Sequence, residues 1–142
     1  MNRLPKSTVI GWGIFAISFL LPVYRDGATL ADGVLPGWEV LSATINGGTG
    51  TFGVVSALTN ILMLSTLALL KTQSRNGVLT LFVAVSAATL LNGWWFVAAE
   101  PRSALMIGYY LWWASFGVVA TGLLAQVLHP AALQESSSLV SA

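Results

Sequence analysis

An all-α membrane fold, an integral membrane four-helix up-down bundle with a short interfacial helix in its first outer loop, follows from three features of the sequence. The 142 residues are 56% hydrophobic and only 8% charged, against roughly a quarter charged in a typical water-soluble domain. The apolar residues gather in four runs, about 9–24, 52–70, 78–98 and 103–128. The last of these is too long and too apolar for an ordinary core helix, and in lipid a helix is what closes every backbone hydrogen bond within the segment. Finally, the connections from the second run to the third and from the third to the fourth are short, which makes those neighbours antiparallel. The chain is read as one transmembrane domain over 1–142.

The first run follows Arg3 and Lys6. It resembles a secretory signal, but it exceeds the usual ~7 to 15 residue apolar core and no clear A-x-A site follows, so an uncleaved first span is expected. Pro22 kinks or ends that helix, and Tyr24-Arg25 marks the exit to water. The outer loop, 25–51, is the one long connection. Within it Pro36-Gly37 precedes a segment in which Trp38, Leu41 and Ile45 fall at i, i+3 and i+7, the pattern of a short helix lying on the membrane surface. Asn46-Gly-Gly-Thr-Gly50 ends that helix and is the expected hinge.

The second run carries Ser56, Thr59, Asn60, Ser65 and Thr66 among aliphatic residues, and the basic turn Lys71–Gly77 separates it from the third. The third closes with Asn92-Gly-Trp-Trp-Phe96. The hairpin Ala99–Arg102 places Pro101 in the first turn of the fourth helix. His129-Pro130 stops that helix, and the tail 130–142 has too little patterned apolar surface to fold alone and is expected to be disordered.

Charge sets orientation and removes functions. The amino-terminal flank and the Lys71–Arg75 turn carry two basic residues each, against one in the long loop and one in the Glu100–Arg102 hairpin. Both termini are therefore expected in the cytoplasm. With six basic and five acidic residues there is no basic field for nucleic acid. The absence of cysteine removes disulfides, thiolate metal sites, thiol nucleophiles and lipidated cysteine. No internal repeat relates the two halves, so an inverted-repeat transporter within one chain is not supported.

Depth points to a candidate ligand site. At 1.5 Å per residue, Asn60 lies on the order of 13 Å below the outer end of its span and Asn92 on the order of 9 Å. Tyr109 and Tyr110 lie roughly 10 Å down, and Trp112 and Trp113 roughly 14 Å. An aromatic belt accounts for Tyr24, Trp38, Trp94 and Trp95 at headgroup level, but not for indoles so deep. Their N–H groups need acceptors, which Asn60, Asn92, Ser115 or backbone carbonyls supply. Two readings follow. One is a polar-aromatic pocket of Asn60, Asn92, Tyr109, Tyr110, Trp112 and Trp113, roofed by Trp38 and holding a lipid headgroup, quinone or pigment. The other is hydrogen bonding and packing between helices.

Small residues at helical spacing mark expected packing faces: Ala84, Ala88 and Asn92 on the third helix, and Ala114, Gly117, Thr121 and Ala125 on the fourth. These two helices are expected to pack together, with contact to another protein as the alternative use of such a face. No catalytic centre emerges. His129 reads as an interfacial cap favoured by the helix dipole. One histidine does not give paired haem ligation, no hydrolase, zinc-protease or P-loop motif is present, and no carboxylate lies inside a span. Asp26, Asp32 and Glu39 fit no calcium-loop spacing, so no metal and no defined cofactor is expected.

Ser18-Phe-Leu-Leu-Pro22, Gly37-Trp-Glu39, Leu58-Thr-Asn60 and Gly108-Tyr-Tyr-Leu-Trp112 with Ala114-Ser115 together resemble a loose group of small bacterial four-span membrane proteins. The resemblance covers most of the chain. It implies four spans in a bacterial plasma (inner) membrane and carries over no activity. The expected function is non-enzymatic: an accessory or scaffold subunit of a larger membrane complex, in contact with lipid and with other membrane subunits or copies of itself. The alternative is a small oligomeric transporter or channel in which Asn60, Asn92 and the tryptophan pair line a path.

Overall fold

A computed structural model describes residues 5–25, 33–46, 50–70, 74–98 and 105–128, and over these the chain is mostly helical. Helix α1 (Lys6–Ser18) ends earlier than the apolar run does. The turn tightens, with Leu20 N–H donating to Ile17 O and Leu21 N–H to Ser18 O, and Pro22 has no N–H with which to continue. The chain then forms a strand, β1 (Pro22–Arg25), antiparallel to β2 (Val34–Pro36), with Tyr24 opposite Leu35 and Arg25 opposite Val34. This ribbon is an addition to the expected all-α plan, and it occupies the place given to the top of the first helix.

Helix α2 (Gly37–Ile45) begins where Pro36-Gly37 predicts, carries Glu39 in its first turn, where the helix dipole favours an acid, and ends at Asn46. Its first amides close the top of α1: Gly37 N–H donates to Leu21 O and Trp38 N–H to Phe19 O. A Cβ on Gly37 would lie 2.9 Å from both Phe19 Cα and Ser18 O, so this junction requires glycine.

Helix α3 (Gly50–Leu70) leads to α4 (Arg75–Asn92). The latter starts before residue 78 because the Ser74 hydroxyl caps it, accepting from Gly77 N–H at 3.4 Å. At its far end the bonding tightens to a 3₁₀ pattern, with Trp94 N–H to Leu91 O, Phe96 N–H to Gly93 O and Val97 N–H to Trp94 O. This breaks the expected third helix into α4 and the short α5 (Trp95–Ala98). Helix α6 (Ile107–Leu128) begins four residues later than the apolar run. Just before it, Leu105 bridges to Tyr24 and Met106 N–H donates to Val23 O, so β1 is bonded on both edges.

Helix α6 is central, lying along α1 on one side and α4 on the other; α3 lies partly along α4 and against α2. Buried positions follow three-four spacing: Thr8, Gly11, Phe15 and Ser18 on α1, and Leu81, Val85, Ala88 and Asn92 on α4. That is the spacing of left-handed helix packing. Toward α1 and the turn and strand that follow it, helix α6 presents Gly108, Ser115 and Gly122, spaced by seven and all buried. A Cβ on Gly11 would lie 2.7 Å from Val119 Cγ2, and one on Gly108 2.7 Å from Pro22 O.

One expectation is corrected here. Helices α4 and α6 do pack, and Ala88 and Asn92 lie at the buried face with Ala84 half-buried beside them. The stripe assigned to α6 does not face the bundle. Ala114, Thr121 and Ala125 are exposed, and a Cβ on Gly117 would meet nothing within 4 Å. The reason is the bulk of the neighbours: Phe116, Val119 and Leu123, fully buried, fill the space between helices and turn the small residues outward.

The interior mixes an apolar core of Phe15, Met63, Val85, Phe116, Val119 and Leu123 with polar side chains, and the surface is strongly apolar. The interior holds Thr8, Ser18, Asn60, Thr66, Asn92 and Ser115, whereas Leu20, Leu58, Ile61, Leu64, Val83 and Leu90 are more than half exposed. Two helices are long and apolar enough to cross a membrane, 75–97 (α4 with α5) and Ile107–Leu128, while α3 contributes the shorter apolar stretch Gly53–Ala68. Only 22% and 33% of the two longer stretches is buried by the chain itself, unlike the core helix of a soluble domain. The expectations for Arg3, Asp26, Asp32, the Gly47–Thr49 hinge, Glu100, Pro101, Arg102, His129 and the tail 130–142 lie outside the described residues.

Candidate functional site

The α3–α4–α6 junction gathers most of the polar side chains picked out by depth. Asn92, in the last turn of α4, is fully buried. Its Oδ1 accepts from Ser56 Oγ at 2.9 Å and its Nδ2 donates to Thr59 Oγ1 at 2.9 Å. The Thr59 hydroxyl already donates to Ser56 O at 2.6 Å, so toward Asn92 it accepts, which fixes the amide's orientation. The Asn92 backbone carbonyl, at the point where the helix tightens, accepts from Tyr109 OH at 2.6 Å.

The two deep indoles find acceptors on different helices. Trp112 Nε1 donates to Asn60 Oδ1 on α3 at 2.7 Å, and Trp113 Nε1 to Thr89 O on α4 at 2.8 Å. Because an indole only donates, Asn60 Oδ1 must face Trp112. Toward the other end of α3, Trp12 Nε1 on α1 donates to Thr66 Oγ1 on α3 at 3.2 Å. Thr66 in turn donates to Met63 O at 2.7 Å.

Ring contacts run alongside these bonds. Phe96 meets Tyr109 and Trp113 edge to face at 5.3 and 5.0 Å, Tyr109 lies 5.8 Å from Trp112, and Trp112 lies 5.3 Å from Phe116. Phe116 continues to Phe15 on α1 at 6.0 Å. Offset and edge-to-face pairs of this kind add about 0.5 to 1.5 kcal/mol each beyond burial.

Of the seven expected ligand residues, Asn60, Asn92, Tyr109, Trp112 and Trp113 share this network. Tyr110 sits at its rim, 42% exposed and 5.6 Å from Phe96. Trp38 lies on α2, 56% exposed, and its side chain takes no part in these hydrogen bonds or ring contacts. Backbone bonds from Gly37 and Trp38 to Leu21 O and Phe19 O hold α2 at the end of α1. Ser56, Thr59, Thr66, Trp12 and the Thr89 carbonyl complete the network without having been picked out. Ser56, Thr59, Asn60, Met63 and Thr66 recur at three- and four-residue steps, one face of α3, and that polar stripe is the signal that would have found them.

Chemically the site is a set of neutral donors and acceptors that satisfy one another. No titrating carboxylate, histidine or cation takes part in these bonds, and among the described residues no group of three or more His, Cys, Asp or Glu could hold a metal ion. The two indoles cross-link α6 to α3 and to α4. Comparison with known protein families, curated proteins and solved structures finds no match.

Proposed function

We propose that the chain is a small integral membrane protein without a catalytic centre, an accessory or scaffold subunit of a larger membrane complex. In this reading four segments cross a bacterial inner membrane up and down, both termini lie in the cytoplasm, and α2 rests in the outer interface with Trp38 and Ile45 toward lipid. The observation that carries it is the apolar surface: large aliphatic residues such as Leu20, Ile61 and Leu90 face outward, while threonine, serine and asparagine share the interior with the apolar core. Water would penalise that surface by about 25 cal/mol per Å², whereas lipid does not.

The first crossing combines α1 with the turn and strand after it. Thirteen helical residues reach only about 20 Å, short of the roughly 30 Å hydrocarbon core. Strand β1 extends the reach, and because both its edges are bonded it meets the condition on non-helical backbone at membrane depth.

The scaffold role is supported by the outer face of α6. Its exposed positions from Leu111 to Val127 are all small, whereas α1, α3 and α4 present large aliphatic residues outward. A helix of another subunit can approach closely at Ala114, Gly117, Thr121 and Ala125. Gly117→Leu tests this, because nothing in the chain itself lies within 4 Å of the added carbon. Native mass spectrometry after mild detergent extraction should show the wild-type chain with a companion subunit and the variant as a bare 15.0 kDa chain. A wild-type bare chain, or a variant that keeps its companion, rejects the role. A second reading, a small oligomeric transporter or channel, is favoured by the polar stripe on α3, and solute movement in proteoliposomes of the chain alone would select it.

A further inference from the structure

The bundle is held by two different kinds of interface. Between α1 and α6 the contact is close backbone packing: Gly11 and Gly122 bring the backbones together. No side-chain hydrogen bond crosses that interface among the described residues. Helix α3 differs: it places Met63 in the apolar core, but its other buried side chains, Ser56, Thr59, Asn60 and Thr66, are polar. It runs along α4 only in part and reaches α1 and α6 by side chains. Four hydrogen bonds tie it down: Ser56 to Asn92, Asn92 to Thr59, Trp112 to Asn60 and Trp12 to Thr66.

These interfaces respond differently to opening. Separating α1 from α6 loses close van der Waals packing, which neither lipid nor water replaces in kind. Parting α3 frees hydroxyl, amide and indole groups, each of which a small polar molecule can satisfy in place of the lost partner. The seam from Ser56 to Thr66 spans eleven residues, about 15 Å along the helix, and carries no charged group.

We propose that α3 is the mobile helix of this bundle, and that the hydrogen-bonded seam beneath it admits small uncharged hydrogen-bonding molecules when α3 swings aside. The inference rests on the membrane reading above and adds motion and a ligand class to it. It requires no change in the α1–α6–α4 unit.

The native absence of cysteine makes the test clean. Single variants Ser56→Cys and Thr66→Cys place a thiol in the seam; Ser18→Cys and Ser115→Cys place one on the buried faces of α1 and α6. All four parent residues are at most 9% exposed, so a static bundle shields them alike. Reaction with N-ethylmaleimide, a small uncharged reagent that needs a hydrated thiolate, is followed in phosphatidylcholine vesicles. The seam thiols should react at least tenfold faster than the other two. Because each seam variant also removes a hydrogen bond, amide exchange of the unaltered protein is measured in parallel, and α3 amides should exchange at least tenfold faster than those of α6. Equal rates in either measurement overturn the proposal. Resistance of the same vesicles to alkaline extraction reports membrane insertion separately, so a rigid α3 is distinguishable from a chain that never inserted.

Discussion

Asn92 is the residue on which the most helices depend: its side chain holds α3 through Ser56 and Thr59, and its carbonyl holds α6 through Tyr109. Asn92→Ala deletes two interhelical side-chain bonds and leaves a cavity at a site with no exposure. At about 0.6 to 1.7 kcal/mol per bond in a membrane, the expected loss is about 1 to 3 kcal/mol. Trp113→Phe keeps most of the ring against Phe96 and loses only the bond to Thr89 O, so about 0.6 kcal/mol is expected. Reversible unfolding in mixed micelles measures both, and an Asn92→Ala loss no larger than that of Trp113→Phe would contradict the central place given to Asn92. Much of this site was legible in the sequence, because depth alone obliges a buried indole to find an acceptor, and Asn60 and a backbone carbonyl were among those foreseen. What stayed hidden was the pairing. Trp112 and Trp113 are adjacent yet point to α3 and α4 respectively, a division fixed by the helical turn of 100° and by which neighbours flank α6.

Elements were legible wherever a cap or breaker marks them, and least legible where two faces of one helix look alike. Pro36-Gly37 and Asn46 bound α2 as read, and Ser74 sets the start of α4. The strand Pro22–Arg25 was read as the top of a helix because its apolar residues continue the run without interruption, and only pairing with Val34–Pro36 and Leu105 reveals it. On α6 both the stripe Ala114, Gly117, Thr121, Ala125 and the set Gly108, Ser115, Gly122 are made of small residues at helical spacing. In lipid neither face is marked by polarity, so periodicity alone does not say which turns inward. The two faces predict opposite responses to an added methyl. Gly122→Ala drives a carbon against Ser7 Oγ at 2.8 Å and Thr8 N at 3.0 Å and should destabilise by about 1 to 3 kcal/mol, as overpacking does. Gly13→Ala, with nothing within 4 Å, should gain about 0.5 to 1 kcal/mol from reduced backbone freedom. Thermal denaturation in detergent ranks the pair, and a Gly122→Ala variant as stable as Gly13→Ala would mean that α1 and α6 do not approach as closely as described.

At the scale of the whole molecule, the proposed membrane reading makes the bilayer part of the fold: exposed Leu58, Ile61 and Leu64 on α3 and Leu79, Val83 and Leu90 on α4 would meet lipid in place of a second layer of protein. The contacts within the chain already impose alternation. Gly11 meets Val119 and Gly108 meets Pro22, so α1 and α6 run in opposite directions. Asn92 near the end of α4 meets Ser56 near the start of α3 and Tyr109 near the start of α6, so α4 opposes both. An alternating bundle placed across a membrane puts the connections on alternate sides, and the slender excess of basic residues in the amino-terminal flank and the Lys71–Arg75 turn puts those two inside. Enzyme reporters fused after Gly48, Gln73, Glu100 and Ala142 should therefore read outside, inside, outside and inside in turn. The complementary pattern would preserve four crossings and reverse only the orientation derived from charge. Two consecutive fusions on the same side would remove the crossing between them, and with it the four-span bundle on which the scaffold reading stands.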